Sequence, residues 1–332
     1  MVSVVIINYN RKALLRACLE SLARQAGVTF ETIVVDNGSS DGSPEMAADD
    51  FAVRVIRNTE NRGFCAANNQ GIAAARGEFI ALLNNDAEAE PGWLAALHSA
   101  CARGAEIGMA ASKILVWEDP TRIDKAGHLI FPDGQNRGRG SGAFDNGQFD
   151  REEEVLWPDG CAALYRKSML DQIGGFDEDF FAYGDDAELG LRARIAGWKC
   201  VYVPAARVRH HRGSTLGKGS ARRLELIERN RVLLALKLFP WSLLWLNPIY
   251  FAVRLLAGAV SAARGAGDTA HFPGLSGKWR MARAIVQGDL DALRLAPRML
   301  RKRSAIRRIR RLTPADVRRL ILSHRLSLKD VA

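Results

Sequence analysis

Four times before residue 90, an apolar run of strand length breaks off into a cluster of asparagine, aspartate and glycine. Val2 to Ile7 ends in Asn8, Tyr9 and Asn10; Thr32 to Val35 ends in the loop from Asp36 to Gly42; Val53 to Ile56 ends in Asn58, Glu60, Asn61, Arg62 and Gly63; Phe79 to Leu83 ends in Asn84, Asn85 and Asp86. Near-continuous apolar runs of this length predict strands buried on both faces of a parallel sheet. Between the first two, Leu14, Leu15, Cys18, Leu19 and Leu22 recur at helical spacing over Arg11 to Gln25, with Gly27 as a stop. Strand, helix and strand form a βαβ unit, and a right-handed crossover puts the tips after Ile7 and Val35 on one edge of the sheet. A further helix is expected over Phe64 to Ala75. Ligands of open α/β sheets bind at that edge, so Asn84, Asn85 and Asp86 carry hard oxygen ligands to a binding position. Taken singly, each tip reads equally as a polar turn capping the next helix.

The net charge of +10 conceals a division. Up to Thr215 there are 23 Lys and Arg against 30 Asp and Glu; from Leu216 onward there are 24 against 7. A working domain over residues 1–215 and a basic region over 216–332 are expected, the second suited to a polyanion such as nucleic acid or an anionic membrane face. The five cysteines are scattered without a CxxC pair, which predicts reduced thiols in a cytosolic compartment. The strand beginning at Val2 follows no basic or cleavable apolar leader, so no secretory signal is expected.

The loop from Asp36 to Gly42 bears two carboxylates that would repel phosphate, pointing to the nucleoside end of a ligand. No GxGxxG follows the first strand, which disfavours a dinucleotide site. A nucleotidyltransferase needs a basic phosphate cradle there, and Asn8 to Asn10 supply none. The Gly-, Asp- and Arg-rich stretch from Asp119 to Glu154 reads as a long mobile loop or hairpin for an acceptor or a lid. Asp185 and Asp186 open a helix whose N-terminus is expected to keep both ionised. That pair also reads as an ordinary N-cap with a first-turn acid.

These segments resemble the family 2 glycosyltransferases of the GT-A fold, in particular the rhamnosyltransferase-like group. The resemblance rests on VSVVIINYN, VVDNGSSDGS, NTENRGFCAANNQGIAAARGEFIALLNNDAEAEPGWL and the stretch from Trp157 to Thr215 with its GGFDE turn, Asp185-Asp186 pair and terminal histidines. It implies a mostly parallel sheet flanked by helices, and inverting transfer of a sugar such as rhamnose from a dTDP- or UDP-sugar to a glycan or lipid-linked saccharide in surface-polysaccharide synthesis. Asp36 would read the pyrimidine base, with Asn8, Asn10, Asn61, Gly63, Asn84, Asn85 and Gly160 also on the donor. Asn84 to Asp86 falls on the DxD metal motif, with Asn in place of the first Asp; Asp86, Asn84 and His210, or its neighbour His211, would hold Mg2+ or Mn2+. Asp186 would be the base, with Asp185 beside it. Hard oxygen donors suit those cations, and Mn2+ accepts imidazole. A sugar-nucleotide binder without catalysis would lack the acidic pair.

Beyond Leu224 an Arg-studded helix is expected to Leu238, then Phe239 to Val260 is apolar but broken by Pro240, Asn247, Pro248 and Arg254. That pattern predicts interfacial segments in place of a membrane span. Arg298 to Arg311 interleaves eight basic residues with Met299, Leu300, Ile306 and Ile309, a membrane-surface pattern. Nucleic acid is disfavoured because no zinc spacing, RRM motif or aromatic stripe is present. The expected location is cytoplasmic, peripheral to the inner membrane face.

Overall fold

A computed structural model describes residues 1–211, 220–263 and 272–331. The chain divides into two compact units: Met1–His128 with Gly138–Arg212, and Leu129–Arg137 with Gly213–Ala332. The expected boundary at 215 lies outside the described residues, and the segment Leu129–Arg137 groups with the helical unit, not with the sheet that surrounds it in sequence.

The first unit opens with strand β1 (Val2–Asn8), helix α1 (Lys12–Ala23), β2 (Phe30–Asp36), α2 (Ser43–Asp50), β3 (Arg54–Arg57), α3 (Gly63–Ala74) and β4 (Phe79–Leu83). It continues through β5 (Ala87–Ala89), α4 (Trp93–Ala102), β6 (Ile107–Val116) and β7 (Ile123–Lys125); β8 (His128–Ile130) and β9 (Asn136–Gly138) pair with each other and fall mostly in the segment that groups with the helical unit, and the first unit resumes with β10 (Glu153–Glu154), β11 (Ala162–Arg166), α5 (Lys167–Ile173), α6 (Asp185–Ile195) and β12 (Lys199–His210). The main sheet runs β10-β12-β6-β11-β4-β1-β2-β3, with β5 on β12 and β7 on β6. β3, β2, β1 and β4 are parallel, as are β6 and β12, while β11 runs against β4 and β6. The result is the mostly parallel, helix-flanked sheet expected, a GT-A fold. Val4, Ile6, Val34, Ala81 and Leu83 pack with Leu15, Cys18 and Leu22 of α1 in one buried cluster. All five cysteines are free and buried.

The stretch from Asp119 to Glu154 departs from expectation. It is not a loop standing off the domain: Ile123, Asp124, Ala126, His128 and Ile130 are buried. Its strands of two or three residues are too short to leave a periodic signature, so the turn-rich text between them dominates the reading.

The second unit contains α7 (Ala221–Leu238), α8 (Trp241–Leu244), α9 (Asn247–Ala263), α10 (Gly274–Ile309), α11 (Pro314–Ser323) and α12 (Leu328–Val331). Its interior holds an ionic network. Arg254 donates to both carboxylate oxygens of Glu228 at 2.9 and 2.7 Å and to Asp133 at 2.6 Å, and Arg231 bonds Glu228 and Asp289. Arg254, which interrupts the apolar run in sequence, therefore points inward on α9, and Ile249, Leu255, Leu256 and Val260 are left exposed. On α10, by contrast, Met299 and Ile306 are buried and Arg303 lies over the Trp241 ring. The apolar residues of that helix are divided, since Leu300 and, nearer its start, Trp279, Val286 and Leu293 stay exposed. No described helix is long and apolar enough to cross a membrane.

Candidate active site

Parallel pairing sets Asn8 opposite Asp36, and an amide network ties the strand tips together. The Asn8 amide donates to Asp36 at 3.0 Å and to Ser43 at 2.7 Å, and its carbonyl accepts from Asn85 at 2.8 Å. Asp36 is buried and also accepts from the Ser39 amide and hydroxyl at 2.9 and 2.6 Å. Asn10, at φ 49°, accepts from the Ser40 amide. Asn61 accepts from the amides of Gly63 and Asn37, and Asn58 links Asn37 to Gln70. The expected donor residues Asn8, Asn10, Asp36, Asn61 and Asn85 thus join one lattice that shapes the edge. Asn58, already placed at its strand tip by the sequence, completes it with Asn37, Ser39, Ser43 and Gln70, none of which stood among the expected donor residues. Gly63 has a steric reason as well: at φ +83°, a Cβ there would come within 2.5 Å of the Phe181 ring.

Antiparallel pairing of β5 with β12 sets His210 opposite Ala87, bringing Asp86 beside it. His210 Nε2 lies 3.4 Å from Asp86 Oδ1, and its Nδ1 lies 2.8 Å from Asp124 Oδ2. Asp124 is fully buried on β7. Burial opposes a charged His210, but Cys161, Asp124 and Asp86 outweigh it and raise its pKa well above the usual histidine range. With Nδ1–H held by Asp124, the ring turns Nε2 toward Asp86, and a cation there would displace the Nε2 proton; a carboxylate on the far nitrogen is how proteins aim a ligating imidazole. One carboxylate and one aimed imidazole fit a Mg2+ or Mn2+ site completed by diphosphate oxygens and water. His211 instead stacks on Trp117, centroids 4.2 Å apart, while its amide donates to the Asp86 carbonyl. Asn84 is held by its backbone, its N–H donating to the Cys161 carbonyl at 2.8 Å.

That last bond leads to the acidic pair. β11 begins opposite the end of β4, so Asp159, Gly160 and Cys161 cross the same edge. Cys161 acts on His210, and the Gly160 amide lies 3.4 Å from Asp186 Oδ2. Asp186 and the Asp86–His210 pair are therefore linked through two adjacent residues. Burial raises the pKa of Asp186, and burial with the Asp186 charge raises that of Asp185. Desolvation works against the helix N-terminus that was expected to keep both ionised. A carboxylate with raised proton affinity is the better general base near neutral pH. Glu188 is turned away: fully buried, it grips Arg192, whose guanidinium binds the carbonyls of Ile173, Gly174 and Gly175. The GGFDE turn is thereby anchored structurally. Phe181, Tyr183 and Gly184, all at positive φ, lead into α6; such non-glycine conformations cost about 1–3 kcal/mol each and persist only where surroundings impose them.

Among the described residues, the set of three acidic or histidine side chains close enough to share an ion is His128, Asp159 and Asp186, not the pair at Asp86. Lys125 Nζ already neutralises Asp159, so we assign no cation there.

The sequence profile of Glycosyl transferase family 2 matches residues 3–174, and that of Glycosyl transferase family group 2 matches 144–266. The N-acetylglucosaminyl-diphospho-decaprenol L-rhamnosyltransferase of Mycobacterium tuberculosis is 29% identical over 274 residues, covering 76% of this chain and 88% of its own length. The pre-mycofactocin glycosyltransferase of the same organism is 29% identical over 67% of this chain and 45% of its own. Among solved structures, the mannosyltransferase PcManGT of Pyrobaculum calidifontis in complex with GDP-Man and Mn2+ aligns with a TM-score of 0.55 at 20% identity, over 88% of this chain and 86% of its own. GalNAc-T7 with UDP, GalNAc and Mn2+ aligns with a TM-score of 0.59 at 17% identity, over 73% and 48%. These last two are likenesses of fold.

Proposed function

Because the chain belongs to glycosyl transferase family 2, and is a glycosyltransferase on that ground, we propose that it transfers a deoxyhexose, rhamnose foremost, from a dTDP- or UDP-sugar to a hydroxyl of a lipid-linked saccharide with inversion. The observation that carries this reading is the short bridge Gly160–Cys161 between Asp186 and the Asp86–His210 pair. It supports a single displacement: Asp186 takes the acceptor hydroxyl proton as that oxygen attacks the anomeric carbon, and the diphosphate leaves toward Asp86 and His210. A divalent cation held by Asp86 and His210 would neutralise charge on the departing diphosphate. Asp124 keeps His210 in the tautomer and orientation this needs, and Asn8, Asp36 and Asn85 hold the edge on which the nucleoside rests. The choice of sugar and acceptor is supported by the near full-length similarity to the mycobacterial rhamnosyltransferase.

The test is a screen of nucleotide sugars for Mn2+-dependent protection against thermal unfolding. A ligand that binds the native state at a hundred times its dissociation constant adds about 2.7 kcal/mol. Protection by dTDP-rhamnose above that by GDP-mannose is expected; equal protection, or none with Mn2+ present, would remove the donor assignment.

We propose further that the helical unit rests on an anionic membrane surface. Trp245 and Trp279 are 79% and 75% exposed, α9 turns Ile249 and Leu256 outward, and the region from Leu216 carries a net +17. Each Lys or Arg near such a surface contributes about 1 kcal/mol. Flotation with phosphatidylglycerol vesicles but not with phosphatidylcholine vesicles is expected, and weakening on replacing Trp245 and Trp279 by serine. Equal flotation with both lipids, or with neither, would refute the proposal.

A further inference from the structure

Beside Asp186 lies a buried array that the reaction above leaves unused. His128, at the start of β8, is 5% exposed. Its Nε2 is 2.8 Å from Asp159 Oδ2 and 3.6 Å from Asp186 Oδ2. Its Nδ1 is buried without a hydrogen-bond partner among the described residues, while Nε2, flanked by two accepting carboxylates, is the nitrogen that presents a hydrogen between them. Lys125 binds the same Asp159 oxygen, and Trp157 stacks on the imidazole with ring planes at 26°. The Asp159 Oδ1 accepts the Cys161 amide at 2.9 Å. His128 and Lys125 come from two strands and Trp157 with Asp159 from the turn before β11, so the array is held from three segments. Asp186 Oδ1 accepts the Ala187 amide at 2.8 Å, and its Oδ2 is the atom that the Gly160 amide and His128 Nε2–H approach.

We infer that His128, oriented by Asp159, Lys125 and Trp157, is a positioning residue for Asp186, its Nε2–H closing on Oδ2 to hold the carboxylate in the attitude from which it takes the acceptor proton. The contact in this state is about half an ångström longer than a hydrogen bond, and hydrogen bonds of this kind tighten in reacting complexes. The proton passes from the acceptor hydroxyl to Asp186 alone. The inference rests on Asp186 being the base.

The test compares His128→Ala and His128→Gln in the full chain, Gln retaining a side-chain N–H. With dTDP-rhamnose and a polyprenyl-diphosphate N-acetylglucosamine acceptor, His128→Ala should lower kcat by about a hundredfold, the cost of a misplaced catalytic group, with the donor KM unchanged, and His128→Gln should restore most of it. Independently of turnover, the carboxyl carbon resonance of Asp186, identified through Asp186→Asn, should titrate at higher pH in His128→Ala, because a donor that favours the charged form is gone. Asp185, Asp159, Lys125 and Tyr165 also act on Asp186 electrostatically and are the same in both variants. An unmoved midpoint overturns the inference even if transfer falls, as does loss of a bound Mn2+ in His128→Ala, which would make His128 a ligand. If Asp186→Asn itself turns over normally, the base assignment fails instead, and the resonance still reports on the contact.

Discussion

Asp186→Asn is expected to lower transfer by about a hundredfold to ten-thousandfold, the range over which a positioned general base acts, with affinity for the nucleotide sugar unchanged. The substitution keeps the side chain's volume and its acceptor toward the Ala187 amide, and removes only the capacity to hold a proton. Single-turnover kinetics with saturating donor, paired with calorimetric donor binding, separate the two effects. Turnover within a few-fold of the parent protein would take Asp186 out of the role. Asp185 is the control: it is buried, its pKa is raised further, and it lies next in the helix. Asp185→Asn should therefore disturb the charge balance around Asp186 and shift the pH profile without abolishing transfer.

Asp86→Ala is the second large effect. Neutralising a leaving diphosphate contributes several kcal/mol, about a thousandfold in rate, and Asp86 is the carboxylate that His210 faces. The variant should lose both transfer and the Mn2+-dependent part of donor protection. Its fold should persist, because the Asp86 backbone carbonyl that receives the His211 amide remains. Activity that survives in Asp86→Ala and resists a chelator would sink the cation assignment.

The parts of this site that the sequence announces are those whose signal is local. A buried strand that stops at Asn84 or Asp36 is visible within ten residues, and the helix at Asp185 announces itself by its own first turn. Asp124, Lys125, His128 and Asp159 were missed for the opposite reason. They belong to strands of three residues or to the turn before β11, and what makes them functional is distant in sequence: register across the sheet brings Asp124 to His210, and the turn before β11 carries Asp159 to His128. Sequence also shows only one of two influences on the acidic pair: the helix N-terminus is visible there, and the desolvation that opposes it is not. In the helical region, Arg254 reads as an interruption of apolar text; only its bonds to Glu228 and Asp133 disclose that the helix faces inward with its charge and outward with its leucines.

Asp133 gives that network a genealogical consequence. It sits in the short segment Leu129–Arg137, flanked on both sides by sequence of the sheet unit, yet its partners Arg231 and Arg254 lie about a hundred residues downstream in the helical one. A buried charge stripped of its partners costs about 3–5 kcal/mol. Recombination that exchanged the tail at a single junction would strand this carboxylate, so the tail and this segment are expected to be inherited as a pair, and lineages to trade these helices only by trading both.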